Sequence, residues 1–191
     1  MFFWLEECMN LIETEFPGLM VIEPKVFRDD RGFFLESFNK EVFAENGLPT
    51  DFVQDNHAYS SGIGVIRGLH LQMPPHAQAK LVWVTRGAVN DVVVDLRKGS
   101  PTYLRLFKIE LSAENFRRLF IPKGFAHGYE TLTEECEFMY KVDSGYAPGS
   151  EDGVRWDDPD LAIDWNTSNP VLSDKDRVLP SLAQFESPFD F

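Results

Sequence analysis

Cysteine is nearly absent from this chain: Cys8 and Cys136 are the only two among 191 residues. Two cysteines so differently placed supply no disulfide framework, and the expected setting is the cytoplasm. Basic residues are scarce as well, 18 Lys and Arg against 31 Asp and Glu, for a net charge of −13. A surface of that sign repels a phosphate backbone, so no nucleic-acid partner is expected, and the acidity reads as a solvated surface. No apolar run approaches the ~20 residues that cross a bilayer, so no membrane partner is expected either. The opening Met1-Phe-Phe-Trp-Leu-Glu-Glu-Cys-Met9 lacks the basic start and cleavage site of a signal peptide. It also differs in character from the rest of the chain, so residues 1–8 read as an upstream extension set by the choice of start codon. Repeats, low-complexity tracts and Pro/Gly/Ser linkers are missing, which leaves one domain over residues 1–191. One consequence of the charge is sharper. An anionic ligand would need a local basic island, to be sought among only 18 cations.

What the chain does have is apolar residues, 43% with 17 Phe, enough for a packed core. They fall in short segments of period-two alternation separated by turn residues, which is the β signature. Candidate strands cover 20–27, 32–39, 51–59, 64–72, 80–86, 88–97, 103–112, 118–121, 128–133 and 136–142, and another begins at Met9. A short helix is predicted at 40–46 with Gly47 as its stop, and a helical turn at 173–177 with Ser173 as its cap. Beyond Asp157 the chain is Pro- and Asp-rich and irregular. Many evenly spaced strands with few helices predict an all-β jelly-roll barrel holding a ligand in its mouth. Alternation then puts Lys80 on a face with Val82 and Val84, Tyr140 with Phe138 and Val142, and His70 with Ile66 and Gln72. A Lys or a His on an apolar face is costly to bury without a partner or a purpose.

One stretch stands apart. Gly64 is followed after five residues by His70, and Lys80 precedes Gly87 by six. The frame resembles the first motif of the cupins, metal-binding barrels that carry His-x-His and then Glu within the same spacing. Here Gln72 replaces the second His, and Lys80 the Glu. Pro122-Lys-Gly-Phe-Ala-His127 matches the second cupin motif, Pro-x-Gly-x-x-His. Two imidazoles and an amide lack the carboxylate of a metal triad, and an ammonium at the ligand position repels a cation, so no metal is expected. The same residues suit proton transfer. An imidazole supported by a carboxylate is a base near neutral pH, a cation beside it stabilises an enolate oxygen, and a tyrosine opposite can donate a proton. His70, Lys80 and Tyr140 supply those types. His76, after Pro74-Pro75, reads as a solvent-facing loop residue, while His57 is open to either a structural or a functional reading.

The chain resembles the dTDP-4-dehydrorhamnose 3,5-epimerases and related sugar-nucleotide enzymes. The matching runs include Asp30-Arg-Gly-Phe-Phe-Leu-Glu-Ser37, Phe52-Val-Gln-Asp-Asn-His57, Arg67-Gly-Leu-His70, Ala77-Gln-Ala-Lys-Leu-Val82, Ile121-Pro-Lys-Gly-Phe-Ala-His-Gly128, Glu137-Phe-Met-Tyr-Lys141 and Tyr146-Ala-Pro148. That resemblance implies a cupin-type jelly roll without metal or cofactor, acting as a homodimer on a dTDP-linked 4-keto-6-deoxyhexose. It implies His70 as the base, Asp176 as the carboxylate that orients it, Lys80 on the enolate and Tyr140 as proton donor. Arg67, His127, Gln54 and Asn56 would hold the sugar or pyrophosphate, with Tyr146 near sugar and nucleotide and Lys175 near the nucleotide. Arg31 and Glu36 would reach the nucleotide, typically across the dimer interface. Arg31, Arg67 and Lys80 would then make up the basic island.

Five positions depart from the family pattern: Leu71, Ala79, Trp83, Asn90 and Gly145. As residues expected to line or support the sugar pocket, they bear on whether both C3 and C5 are epimerised. A mono-epimerase or 3,4-ketoisomerase of a related sugar is the enzymatic alternative, a non-catalytic sugar-nucleotide-binding cupin a different one, and a metal-dependent oxygenase a third.

Overall fold

The computed structural model of the chain describes residues 9–191; the expected upstream extension and Cys8 lie outside them. Two antiparallel sheets face each other as a cupin-type jelly roll. The larger is ordered β1(Met9–Glu13), β2(Met20–Pro24), β10(Arg118–Ile121), β7(Lys80–Arg86), β12(Glu135–Val142), β5(Gln54–Ser61). The smaller is ordered β13(Glu151–Gly153), β6(Ile66–Gln72), β11(Phe125–Thr131), β8(Ala88–Asp95), β9(Leu106–Ser112). A separate hairpin joins β3(Phe27–Asp29) to β4(Gly32–Phe34). Helix α1(Lys40–Glu45) starts where Asn39 accepts the amides of Glu41 and Val42 and is followed by Gly47 at φ 69°. Helix α2(Asp174–Arg177) is capped by Ser173, as the sequence predicts.

The core has three layers. Between the sheets lie Val82, Val84, Val89, Val93, Leu119, Phe125 and Phe138. The outer face of the larger sheet is covered by Phe43 of α1, with Phe38 and Phe52 packed edge to face around it. Leu69, Leu71, Val92, Val94 and Ala126, on the outer face of the smaller sheet, pack under Val154, Leu161 and Phe189 of the irregular C-terminal segment. Both faces of β8 and β11 are therefore dry, which is why Val92-Val-Val94 reads as a continuous apolar run rather than an alternation.

Several strand bounds differ from expectation, and the strands expected from residues 51 and 103 begin at Gln54 and Leu106. The segment at 20–27 breaks after Pro24, and its last residue joins the separate hairpin with β4, which ends at Phe34 instead of residue 39. The strand expected from Gly128 begins at Phe125, so His127 sits inside a ladder. Strand β13 was not expected.

Candidate active site

The alternation rule fails at one place in the site, and the failure builds it. Opposite β6, His127 pairs with His70 and Tyr129 with Arg67, so two steps on β11 match three on β6. The extra residue falls at Gly68–Leu69, a bulge that brings Arg67 and His70 to the same face and separates His70 from Ile66. Glycine is required there: a Cβ at Gly68, φ 130°, would lie 2.5 Å from Gly128 Cα.

That face opens into a cavity of about 440 Å3 between the sheets, of a size for a small ligand. Lys80 of β7 and Tyr140 of β12 enter from the larger sheet, and Gln54 and Asn56 from β5. His70, Arg67 and His127 enter from the smaller sheet, Lys175 and Asp176 from α2, and Tyr146 from the loop after β12. The parity expected for Lys80 with Val82 and Val84, and for Tyr140 with Phe138, is the parity observed.

His70 Nε2 lies 2.7 Å from Asp176 Oδ1. Asp176 is 3% exposed, accepting Ser173 Oγ at 2.5 Å and the Gly68 amide at 3.2 Å. Burial pushes its carboxyl upward, but His70, Ser173 and Gly68 outweigh burial and hold it at about 2. Asp176 therefore stays ionised at neutral pH, a fixed anion beside the imidazole.

Lys80 Nζ donates to the His70 carbonyl at 3.4 Å. Burial lowers its pKa to about 8, against the pull of Asp91 and Glu151. Tyr140 is pushed up by burial and by Glu151, so its hydroxyl keeps its proton at neutral pH. Arg67 is anchored by Ser60 Oγ at 3.2 Å and Tyr59 O at 3.0 Å. Gln54 Oε1 accepts the Tyr146 amide at 3.0 Å, while its Nε2 donates to Asn56 Oδ1 at 2.8 Å. Tyr146, 55% exposed at the rim, donates its hydroxyl to Glu151 Oε2 at 2.7 Å. Lys175 closes the same corner by pairing with Glu151 Oε1.

Arg31 and Glu36 do not reach this cavity within one chain. Arg31 pairs with Asp29 on the hairpin, beside a second hollow lined by Phe27, Phe33 and Phe34, and Glu36 accepts from Asn39. The basic island of a single chain is therefore Arg67, Lys80 and Lys175, without Arg31.

The five departures have other duties. None lines the cavity. Leu71 and Ala79 are core residues, Trp83 lies under the Arg118 guanidinium, Asn90 is buried on β8, and Gly145 presents its carbonyl to Gln72. Gln72 itself turns to that loop and is not a cavity residue.

Sequence reasoning missed Ala58, Gln78, Tyr129, Glu151 and Ser173 in the lining and Asp91 beneath it. Asp91 Oδ2 is 2.9 Å from His127 Nε2, and its other oxygen has no partner among the described residues. A charged residue inside the apolar run of β8 was the signal for Asp91; Glu151 sits in a three-residue strand too short to show one.

A sequence-family model described as dTDP-4-dehydrorhamnose 3,5-epimerase matches residues 13–184. The dTDP-4-dehydrorhamnose 3,5-epimerase of Shigella flexneri is 53% identical over 169 residues, 88% of this chain and 93% of that protein. The crystal structure of dTDP-4-dehydrorhamnose 3,5-epimerase from Bacillus anthracis, with TDP and PPi bound, superposes with a TM-score of 0.89 at 52% identity, over 91% of this chain and 99% of that one. The Legionella pneumophila dTDP-6-deoxy-D-glucose-3,5-epimerase, in complex with dTDP-4-keto-L-rhamnose, gives 0.88 at 45% identity, over 93% and 95%. With a family match over most of its length and relatives at half identity, this chain belongs to the dTDP-4-dehydrorhamnose 3,5-epimerase family.

Proposed function

We propose that the chain inverts C3 and C5 of dTDP-4-dehydro-6-deoxy-D-glucose, through enolate intermediates, to give dTDP-4-dehydro-L-rhamnose. The observation that carries this reading is the convergence of His70, Lys80 and Tyr140 on one cavity, with Asp176 2.7 Å behind the imidazole. Both carbons flank the 4-ketone, so removing a proton from either leaves a negative charge on the same oxygen. His70 takes the proton from one face, the Lys80 ammonium stabilises the oxyanion, and Tyr140 returns a proton from the other face. Only protons move, so the reaction calls on no cofactor or metal.

Arg67, Lys175, His127, Gln54 and Asn56 hold the pyrophosphate and sugar, with Tyr146 at the mouth; the forked guanidinium of Arg67 suits phosphate oxygens. Arg31 and Glu36 act on the nucleotide in the cavity of a second copy, making the working form a homodimer. Support for this comes from the hairpin, which carries Arg31 away from its own cavity and exposes Phe33 at 58% and Phe34 at 66%. The buried free thiol of Cys136 suits the cytoplasm as the place of action, and no described helix is long and apolar enough to cross a membrane.

Incubation with dTDP-4-dehydro-6-deoxy-D-glucose in D2O, read by NMR, tests this. Deuterium is expected at both C3 and C5. Label at one carbon alone makes the chain a mono-epimerase, and no label at either overturns the reading.

A further inference from the structure

Residues 144–147 carry Tyr146 to the cavity without belonging to any strand. Side chains from elsewhere grip their backbone instead. Gln78 Nε2 donates to Ser144 O at 2.6 Å and Gln54 Oε1 accepts from the Tyr146 amide at 3.0 Å. Gln72 takes both flanks of the tyrosine: Nε2 donates to Gly145 O at 3.2 Å, and Oε1 accepts from the Ala147 amide at 2.7 Å. The second N–H of Gln72 goes to His76 O at 2.7 Å, tying the 73–77 turn to the same point. Gln72 is 4% exposed, and it stands at the second ligand position of the cupin frame.

Two carbonyls and one N–H must be met from a single buried side chain. An amide of this length does so; a carboxylate has no donor for the carbonyls, and an imidazole cannot give two protons and accept one. Beyond the Gln54 contact with its amide, Tyr146 has few other restraints: its ring is half-exposed and, among the described residues, its hydroxyl reaches only Glu151.

We propose that Gln72 is a positioning residue for substrate binding: by clamping Gly145 and Ala147 it holds Tyr146 over the cavity mouth, where the ring meets the dTDP half of the substrate. Gln72 touches no reacting atom and sets affinity, leaving the proton transfers to the residues below. The inference rests on the proposed epimerase reading.

A double-mutant cycle of Gln72→Leu and Tyr146→Ala tests it, with kcat and KM for the 4-keto sugar nucleotide and the dissociation constant of dTDP as readouts. Each single variant is expected to raise KM and weaken dTDP about tenfold, with kcat within about twofold of wild type. The double variant is expected to match Tyr146→Ala, because the clamp then has nothing to hold. Losses that multiply, or a fall in kcat at constant KM, overturn the proposal. Should Gln72→Leu fail to fold, Gln72→Glu keeps the acceptor and side-chain length, removes both donors and carries the same cycle. A wild-type protein that binds dTDP without turning the sugar over overturns the functional reading; turnover with uncoupled effects overturns the clamp alone.

Discussion

His70 and His127 face each other across β6 and β11, and each has a carboxylate behind it, at 2.7 Å and 2.9 Å. The distances hardly differ, but the carboxylates do. Asp176 receives a hydroxyl and a backbone amide besides the imidazole, which overcome its burial and keep it charged down to a pKa of about 2. Asp91 is fully buried on β8 with one oxygen unpartnered among the described residues, and burial drives its pKa up despite His127 and Lys80. Burial likewise drives His127 down. The deeper burial of Asp91 and the extra donors on Asp176, not the distance to the ring, separate the two pairs. The first is a fixed anion behind a base. The second is a reluctant anion beneath the cavity, tied to Lys80 by charge.

Removing each ring's support in turn puts that difference to the test. His70→Ala has the largest expected effect. Deuterium exchange into the sugar should fall by about 10³-fold or more, with dTDP affinity nearly unchanged. Exchange at the wild-type rate would transfer the base to the other pair, and the contrast would collapse. Asp176→Asn should slow exchange by about 10–100-fold without ending it, since the carboxylate orients and supports the ring and takes no proton from carbon. The same variant loses a stability term whose sign is fixed. With its pKa lowered from 3.8 to about 2, Asp176 stabilises the fold above pH 3.8 and loses that contribution as pH falls through 2. Melting curves from pH 2 to 6 should therefore separate the variant from wild type at the upper end and converge at the lower.

The two pairs are not equally legible in the sequence. His70 stands in a recognisable frame and the Ser173-capped turn is predicted from its residues, but Asp176 is joined to His70 in sequence only by the family resemblance. Lys80, Val82 and Val84 obey simple alternation because β7 is regular up to their inward positions. Arg67 does not. Alternation sets it opposite His70, and only the bulge at Gly68–Leu69, fixed by the close approach of Gly128, returns both to one face. Asp91 escapes because β8 is buried on both sides, so its valines show no period from which an inward residue stands out. Gln72 reads in sequence as a lost metal ligand, whereas its amide is fully occupied by a loop that sequence spacing cannot place.

The smallest expected effect belongs to Asp91 and sharpens the comparison most. Lys80 stabilises the enolate oxygen as an ammonium, and burial brings its pKa to about 8. kcat/KM in the wild type should therefore fall as pH rises through about 8, when that charge is lost. Asp91 is the largest influence resisting the shift, ahead of Glu151. Asp91→Asn keeps the shape and a contact for His127 but removes the negative charge, so the Lys80 pKa drops further and the alkaline limb moves to lower pH. At about pH 6.5 the loss should be only severalfold, because most Lys80 is still protonated there; at about pH 8 it should be larger. Asp176→Asn, whose carboxylate is not among the influences on Lys80, should lower the profile and leave that limb in place. A limb that shifts equally in both variants would mean that the two carboxylates act as one cluster. A limb that shifts only in Asp91→Asn assigns the second pair to the charge of Lys80 and the first to the base.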